Sequence, residues 1–169
     1  VSCCMNRNDN LKRAVLTWLN LKADEIIIVD WSSSIPVSET LSDINDNRVK
    51  IIRVEGEDKW ILTKAFNVGL RFARYSKIYK FDADIEVKPN FIEINPFTEN
   101  QYVRGNWAFA VENGSEHQKF VNGSFAAPKN TLKNIGYYNE YIQTYGWDDS
   151  DIYQRLSLIG GLNAKFIDP

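Results

Sequence analysis

The chain has 169 residues, 44% hydrophobic and 25% charged, and its 20 Lys+Arg against 22 Asp+Glu give a formal net charge of -2. That length suits a single domain whose core needs no disulfide or metal staple. The balanced charge argues against nucleic acid or an anionic membrane as partner, and no apolar run approaches the roughly 18 residues of a membrane span.

Short apolar runs alternate with helical patterns through the first half. Val1 to Met5 reads as a buried strand. Asn8 or Asp9 can cap a helix with Leu11, Val15, Trp18 and Leu19 on one stripe. Glu25 to Asp30 is a β-branched run that ends in a carboxylate and the turn Trp31-Ser32-Ser33-Ser34. Pro36 and Ser38 open a short helix bearing Val37, Leu41 and Ile44, and Arg48 to Val54 is a third strand. Thr63 caps a helix with Ala65, Phe66, Gly69, Leu70 and Ala73 inward, and Lys77 to Asp82 is a fourth strand running into Asp82-Ala83-Asp84. The second half is less regular. Tyr102 to Val111 reads as a strand broken at Gly105-Asn106, Val121 to Ala127 as a glycine-containing strand, and Pro128 to Ile135 as a short helix. Asp148 to Leu158 is a stronger helix with acids at its start, and Ala164 to Ile167 a last strand.

This βαβαβαβ rhythm implies an α/β fold with a mostly parallel sheet flanked by helices. Ligands of such sheets bind beyond the carboxyl ends of the strands, where Asp30 and the Asp82/Asp84 pair would share one rim. The two cysteines, Cys3 and Cys4, are neighbours on an apolar strand. Adjacent cysteines rarely bridge, so they read as core thiols of a reducing, cytoplasmic compartment. The start within a strand and the abrupt end at Ile167-Asp168-Pro169 lead us to expect a piece of a longer protein.

Three groups of residues carry candidate chemistry. Asp82 and Asp84, one residue apart on an extended segment, project to the same side and would repel one another. A hard cation such as Mg²⁺ or Mn²⁺ would hold both ionised, and a solvated strand-to-loop turn is the plain alternative. Asp148-Asp149-Ser150-Asp151 places three acids at a helix N-terminus, more than capping needs, after Tyr145-Gly146-Trp147. Aromatics beside paired carboxylates suit a sugar, whose apolar face packs on a ring while acids take its hydroxyl protons. Asp30 with Ser32 to Ser34 could bind a base or ribose, or simply form an Asx turn. His117 is the single histidine, in a polar stretch that reads as a solvated loop, which disfavours a Ser-His-Asp hydrolase. No G-x-G-x-x-G or Walker pattern is present.

Taken in order, the strand leading to Asn6-Arg7, the strand ending at Asp30, Lys64-Ala65-Phe66-Asn67-Val68-Gly69, Asp82-Ala83-Asp84, Asn122-Gly123-Ser124-Phe125-Ala126, Ile135-Gly136-Tyr137 and Gly146-Trp147-Asp148-Asp149-Ser150-Asp151 form a pattern. It resembles glycosyltransferases of the GT-A fold, specifically family 2-like enzymes and their galactosyltransferase relatives. The resemblance implies a single domain over 1–169, with a nucleotide-binding half over about 1–88 and an acceptor half over about 89–169. It implies an inverting, metal-dependent transfer from a nucleotide-diphosphate sugar, expected to be a UDP-sugar, to a hydroxyl of a saccharide or other acceptor.

By the same resemblance, Asp30 contacts the base or ribose, Lys64 and Asn67 line the nucleotide pocket, and Asp82 and Asp84 hold ribose and Mn²⁺ or Mg²⁺. Asp84 is the more direct metal ligand of the two. Gly123 and Ser124 lie beside the donor sugar, Asp149 is the catalytic base, and Asp148 holds the acceptor hydroxyl. Tyr145 and Trp147 are expected acceptor contacts. Asp148 departs from the family's usual Glu, and the family's downstream histidine metal ligand has no counterpart before Pro169. The rival readings are a sugar-nucleotide-binding domain without transfer activity and a haloacid-dehalogenase-type phosphatase. The second normally carries its D-x-D after the first strand.

Overall fold

The computed structural model describes residues 1–115 and 119–168; His117 lies outside them. Strands β1 (Ser2–Cys4), β2 (Ile26–Trp31) and β3 (Val49–Val54) form a parallel ladder in the order β1-β2-β3. Strands β4 (Lys77–Lys80), β5 (Gln101–Arg104), β6 (Phe125–Pro128) and β7 (Asn163–Phe166) form a second ladder, β4-β6-β5-β7, in which only β6 runs against its neighbours. Two hydrogen bonds join the ladders, from the Val1 nitrogen to the Tyr79 carbonyl (2.7 Å) and from the Phe81 amide to the Val1 carbonyl (3.1 Å). That pattern is parallel pairing, so β1 and β4 lie side by side at the centre.

β2 shows why the sheet is covered on both faces. Its six residues are all buried, and alternate side chains enter opposite cores. Ile26 and Ile28 meet Leu11, Ala14, Val15 and Trp18 of helix α1 (Asn8–Trp18). Ile27, Val29 and Trp31 meet Ala65, Phe66 and Leu70 of helix α3 (Leu62–Phe72), together with Ile152 and Leu156 of the acidic helix described below. The short helix α2 (Val37–Thr40) buries Val37 in the first of these cores. Gly69 lets α3 sit close on the sheet, since a Cβ there would meet Val1 Cγ1 at 2.6 Å.

Helix α1 also fixes the loop after the D-x-D. Trp18 stacks on Phe81 at 6.0 Å and donates its indole N–H to the Ile85 carbonyl (2.9 Å). Thr17 Oγ1 accepts the Val87 amide (3.1 Å). Helix α4 (Phe91–Ile94) then leads to β5.

Three local expectations are corrected. Residues after Gly105 form helix α5 (Trp107–Asn113) instead of continuing a strand: the Asn106 side chain accepts the Phe109 amide (3.1 Å), and Gly114 closes the helix at φ 62°. Residues 121–123 are a turn, and β6 begins only at Phe125. Thr63 lies inside α3, where its hydroxyl donates to the Ile142 carbonyl (2.9 Å) instead of capping. Helix α6 (Lys129–Asn134) and helix α7 (Asp148–Leu158) lie where the sequence pattern puts them. Both cysteines are buried and unbridged, and among the described residues no helix is long and apolar enough to cross a membrane.

Candidate active site

A cleft of about 1540 Å³ opens beyond the carboxyl ends of β1 and β4. Its walls bring together Arg7, Asp82, Asp84, Gly123, Tyr145, Asp148 and Asp149, residues contributed by four separate stretches of chain. At its centre is the Asn122-Gly123-Ser124 turn, held from below by two buried donors. Tyr153 of α7 donates its hydroxyl to the Asn122 carbonyl (2.8 Å), and Lys80 donates its ammonium to the Gly123 carbonyl (2.7 Å). A Cβ on Gly123 would stand 2.5 Å from Asp82 Oδ2 and 3.4 Å from Asp149 Oδ2. The glycine therefore lets two carboxylates from opposite ends of the fold converge on one point.

Lys80 is the functional residue that the sequence reading missed. It is 0% exposed, it donates to Asp82 Oδ1 (2.8 Å), and its ammonium lies 4.3 Å from the Phe66 ring centroid. Burial works against its charge, but Asp82, Asp149 and Asp148 outweigh burial and raise its pKa above the ordinary value. A signal was present: Lys80 and Asp82 are two apart on an extended segment and so share a face, and Lys80 itself sits between the buried Ile78 and Phe81.

The acidic helix divides its labour. Asp151 pairs with Arg155 one turn on, and Arg155 in turn donates to the carbonyls of Ile135 (2.9 Å) and Tyr137 (2.6 Å). That acid is structural. Asp148 is buried and accepts the Gly146 amide (3.3 Å). Asp149 is half-buried, and its Oδ1 is shut off from solvent without a hydrogen-bond partner. Burial raises its carboxyl from 3.8 to about 6; Lys80 opposes that rise, and Asp148 and Asp82 add to it. A carboxylate with an unused oxygen, poised near neutral pH at a cleft floor, has the chemistry of a general base.

Asp82 and Asp84 supply hard oxygen donors on one wall, and the described residues offer no group of three His, Cys, Asp or Glu side chains around them. Such a pair fits Mg²⁺ or Mn²⁺, which keep waters and take phosphate oxygens, better than an all-protein cage.

Five of the expected site residues do not line the cleft. Asp30 is fully buried: its carboxylate accepts the amides of Ser33 (3.0 Å) and Val37 (2.9 Å) and pairs with Arg53 (2.5 Å). Asn67 is a latch: its amide donates to the Tyr138 carbonyl (3.0 Å) and to Glu140 (2.8 Å), and its oxygen accepts the Tyr138 amide (2.8 Å). Lys64 is half-buried on α3, and Ser124 is buried beneath the turn with its hydroxyl unpartnered. Trp147, 71% exposed, precedes α7 away from the cleft wall, whereas Tyr145, 99% exposed, lines it. Asn67→Leu is expected to cost about 3 kcal/mol in denaturant unfolding, because it strands a buried amide and a buried carbonyl at ~1–3 kcal/mol each. Nucleotide affinity of the folded fraction, read by calorimetry, should hold.

Residues 1–145 match the model of glycosyl transferase family 2. The chain belongs to that family. A search of curated proteins found no match. Among solved structures, a mannosyltransferase from Pyrobaculum calidifontis, in complex with GDP-Man and Mn²⁺, superposes with a TM-score of 0.75 at 15% identity, over 99% of this chain and 53% of its own. Glucosyl-3-phosphoglycerate synthase from Mycobacterium tuberculosis, in complex with UDP, gives 0.66 at 12% identity, over 98% of this chain and 68% of its own. The catalytic domain of Drosophila β1,4-galactosyltransferase 7, in complex with xylobiose, gives 0.62 at 14% identity, over 99% of this chain and 63% of its own. The chain thus spans between about half and two thirds of the length of these structures, and at these identities they speak for the GT-A fold. Family 2 membership, with the D-x-D after the fourth strand, sets aside the phosphatase reading. Helix α7, with Asp149, lies beyond the matched segment, so the reading of that acid rests on its geometry.

Proposed function

We propose that this family 2 domain transfers a sugar, with inversion, from a nucleotide-diphosphate donor to a hydroxyl of a saccharide acceptor. The observation that carries the reading is Asp149: a half-buried carboxylate whose Oδ2 faces Asp82 across Gly123 and whose Oδ1 is buried without a partner. Asp149 accepts the proton of the acceptor hydroxyl as that oxygen attacks the anomeric carbon from the face opposite the leaving diphosphate. A pKa of about 6 leaves Asp149 ionised at neutral pH and still basic enough to take a proton that is acidified only as the bond forms. Asp148 orients the acceptor hydroxyl, Tyr145 offers an exposed ring from the cleft wall to the sugar's apolar face, and Trp147, outside that wall, is left to meet an acceptor that extends beyond the cleft.

Asp84 and Asp82 would hold Mn²⁺ or Mg²⁺, which when bound supplies the positive charge that stabilises the departing diphosphate. Gly123 borders the donor sugar, and Ser124 supports it from beneath the turn. Asp30 acts on the nucleotide side through Arg53 and the Ser32–Ser34 turn, with Lys64 as a neighbouring cation, and Asn67 serves the fold that carries the pocket through its latch on Tyr138. Residues 1–88 thus serve the nucleotide and 89–169 the acceptor. The GDP-Man and Mn²⁺ in complex with the similar mannosyltransferase, and the UDP in complex with the similar synthase, support a metal and a nucleotide here, and a UDP-sugar is the expected donor.

The test incubates the chain with UDP- and GDP-sugars and saccharide acceptors, in Mn²⁺ or in EDTA, and reads the anomeric configuration of the product by NMR. A β-linked product from an α-linked donor, formed only with metal, is expected. Retention of configuration, or equal transfer in EDTA, would overturn the proposal.

A further inference from the structure

The two acids of the D-x-D are each paired with a cation of the chain, and the two pairs differ in kind. Asp82 is bound to Lys80, whose side chain is 1% exposed and is also tied to the Gly123 carbonyl. That partner cannot leave without opening the core. Asp84 is bound to Arg7, with NH2 and Oδ2 at 2.8 Å, and the two side chains are 57% and 36% exposed. Arg7 lies at the mouth of the same cleft, where β1 passes into α1, and its backbone is fixed because its carbonyl accepts the Leu11 amide (3.0 Å). Its guanidinium makes this single hydrogen bond among the described residues, out of five possible N–H donors.

From this contrast, and resting on the function proposed above, we propose that Arg7 is an exchange residue: it neutralises Asp84 while the cleft is empty and passes to the diphosphate of the donor when a divalent cation takes Asp84. Three features of the cleft require such a residue. The cleft carries five acids, Asp82, Asp84, Glu86, Asp148 and Asp149, against the cations Arg7, Lys88 and Lys119, so an anionic donor at the D-x-D end meets less repulsion once Arg7, the cation bound to Asp84 itself, turns toward it. An exposed ion pair is held by little free energy, so the hand-over is cheap. A guanidinium offers parallel N–H donors that match two phosphate oxygens, and the monodentate contact with Asp84 leaves them unused. Asp84 and the diphosphate thus compete for Arg7, as Arg7 and the cation compete for Asp84.

The signature is a pair of effects of opposite sign, measured without turnover. In Arg7→Met, Mn²⁺ binding to the nucleotide-free protein, read by electron paramagnetic resonance, should tighten roughly threefold, because a competitor for Asp84 is gone. UDP binding in saturating Mn²⁺, read by calorimetry with GDP in parallel, should weaken about tenfold, because the phosphates lose their charged donor. Arg7→Lys should keep both constants closer to the wild-type values. Circular dichroism and thermal melts of both variants report that the fold is intact. An Arg7 that merely tethers the first loop to the D-x-D would give Mn²⁺ and UDP affinities that fall together, and either that result or unchanged UDP affinity overturns the proposal. If the wild-type chain binds neither Mn²⁺ nor any nucleotide, the proposed function itself fails, and that outcome is read from a different sample.

Discussion

Asp149→Asn should cripple transfer while making the metal-free protein more stable at neutral pH. Loss of a positioned general base costs on the order of 10²–10⁴ in rate, and Asn offers no proton acceptor of comparable basicity. The wild-type kcat/KM should fall tenfold per pH unit below about 6 as Asp149 takes up its proton, and this limb should be missing from the residual activity of the variant. Nucleotide affinity in Mn²⁺ should change little.

The stability effect follows from the same burial. Between the ordinary carboxyl value of 3.8 and about 6, the folded chain holds the Asp149 proton more tightly than the unfolded chain does. Stability is therefore lost as pH rises through that window, and the full cost of an ionised, half-buried Asp149 is carried above it. Asn carries no such cost. A gain of a few degrees in Tm is expected for the variant at pH 7.5, shrinking to nothing below pH 4. A variant that loses both activity and Tm at pH 7.5 would mark Asp149 as a structural acid.

The parts of this fold that were legible in sequence are those governed by short-range pattern. The β2 run of Ile26 to Val29 had to be buried on both faces, the spacing of Leu11, Val15 and Trp18 had to be a helical stripe, and the end of β4 had to deliver Asp82 and Asp84 to the rim. Residues after Gly105 were misread because Trp107, Phe109 and Val111 alternate as strand residues do; the Asn106 cap and Gly114 stop decide in favour of a helix, and α5 buries only Ala110.

At the site, the acids were visible and their partners were not. Asp30 stood out as the carboxylate that ends an apolar run and Asn67 came from the family pattern, and either position suits a ligand contact as well as an internal latch. What separates the two is Arg53, 23 residues from Asp30, and the backbone of Tyr138, 71 residues from Asn67. Neither distance is encoded in local periodicity. Lys80 was hidden for the converse reason: its strand position was read correctly, but its acceptor, the Gly123 carbonyl, is 43 residues away. The turn that carries Gly123 read as strand, which concealed that two backbone carbonyls there point at buried donors.

That turn yields the second large effect. Gly123→Ala should lower transfer by about 100-fold and unfold no more than ~2 kcal/mol more easily, a split that a core substitution would not give. The added methyl would lie 2.5 Å from Asp82 Oδ2, well inside contact distance, so one partner must move. The turn cannot retreat, because Lys80 holds the Gly123 carbonyl and Tyr153 the Asn122 carbonyl. The carboxylate tip of Asp82 can rotate, but its other oxygen is bound to Lys80, so rotation breaks that pair and swings the first acid of the D-x-D out of line with Asp84. Most of the cost therefore falls on the placement of two oxygens and little on packing. Mn²⁺ and UDP affinities should weaken with the rate, since both depend on Asp82, whereas Asp149→Asn should spare them. Gly123→Ala that keeps Mn²⁺ affinity and turnover would show that Asp82 has another stable position compatible with function.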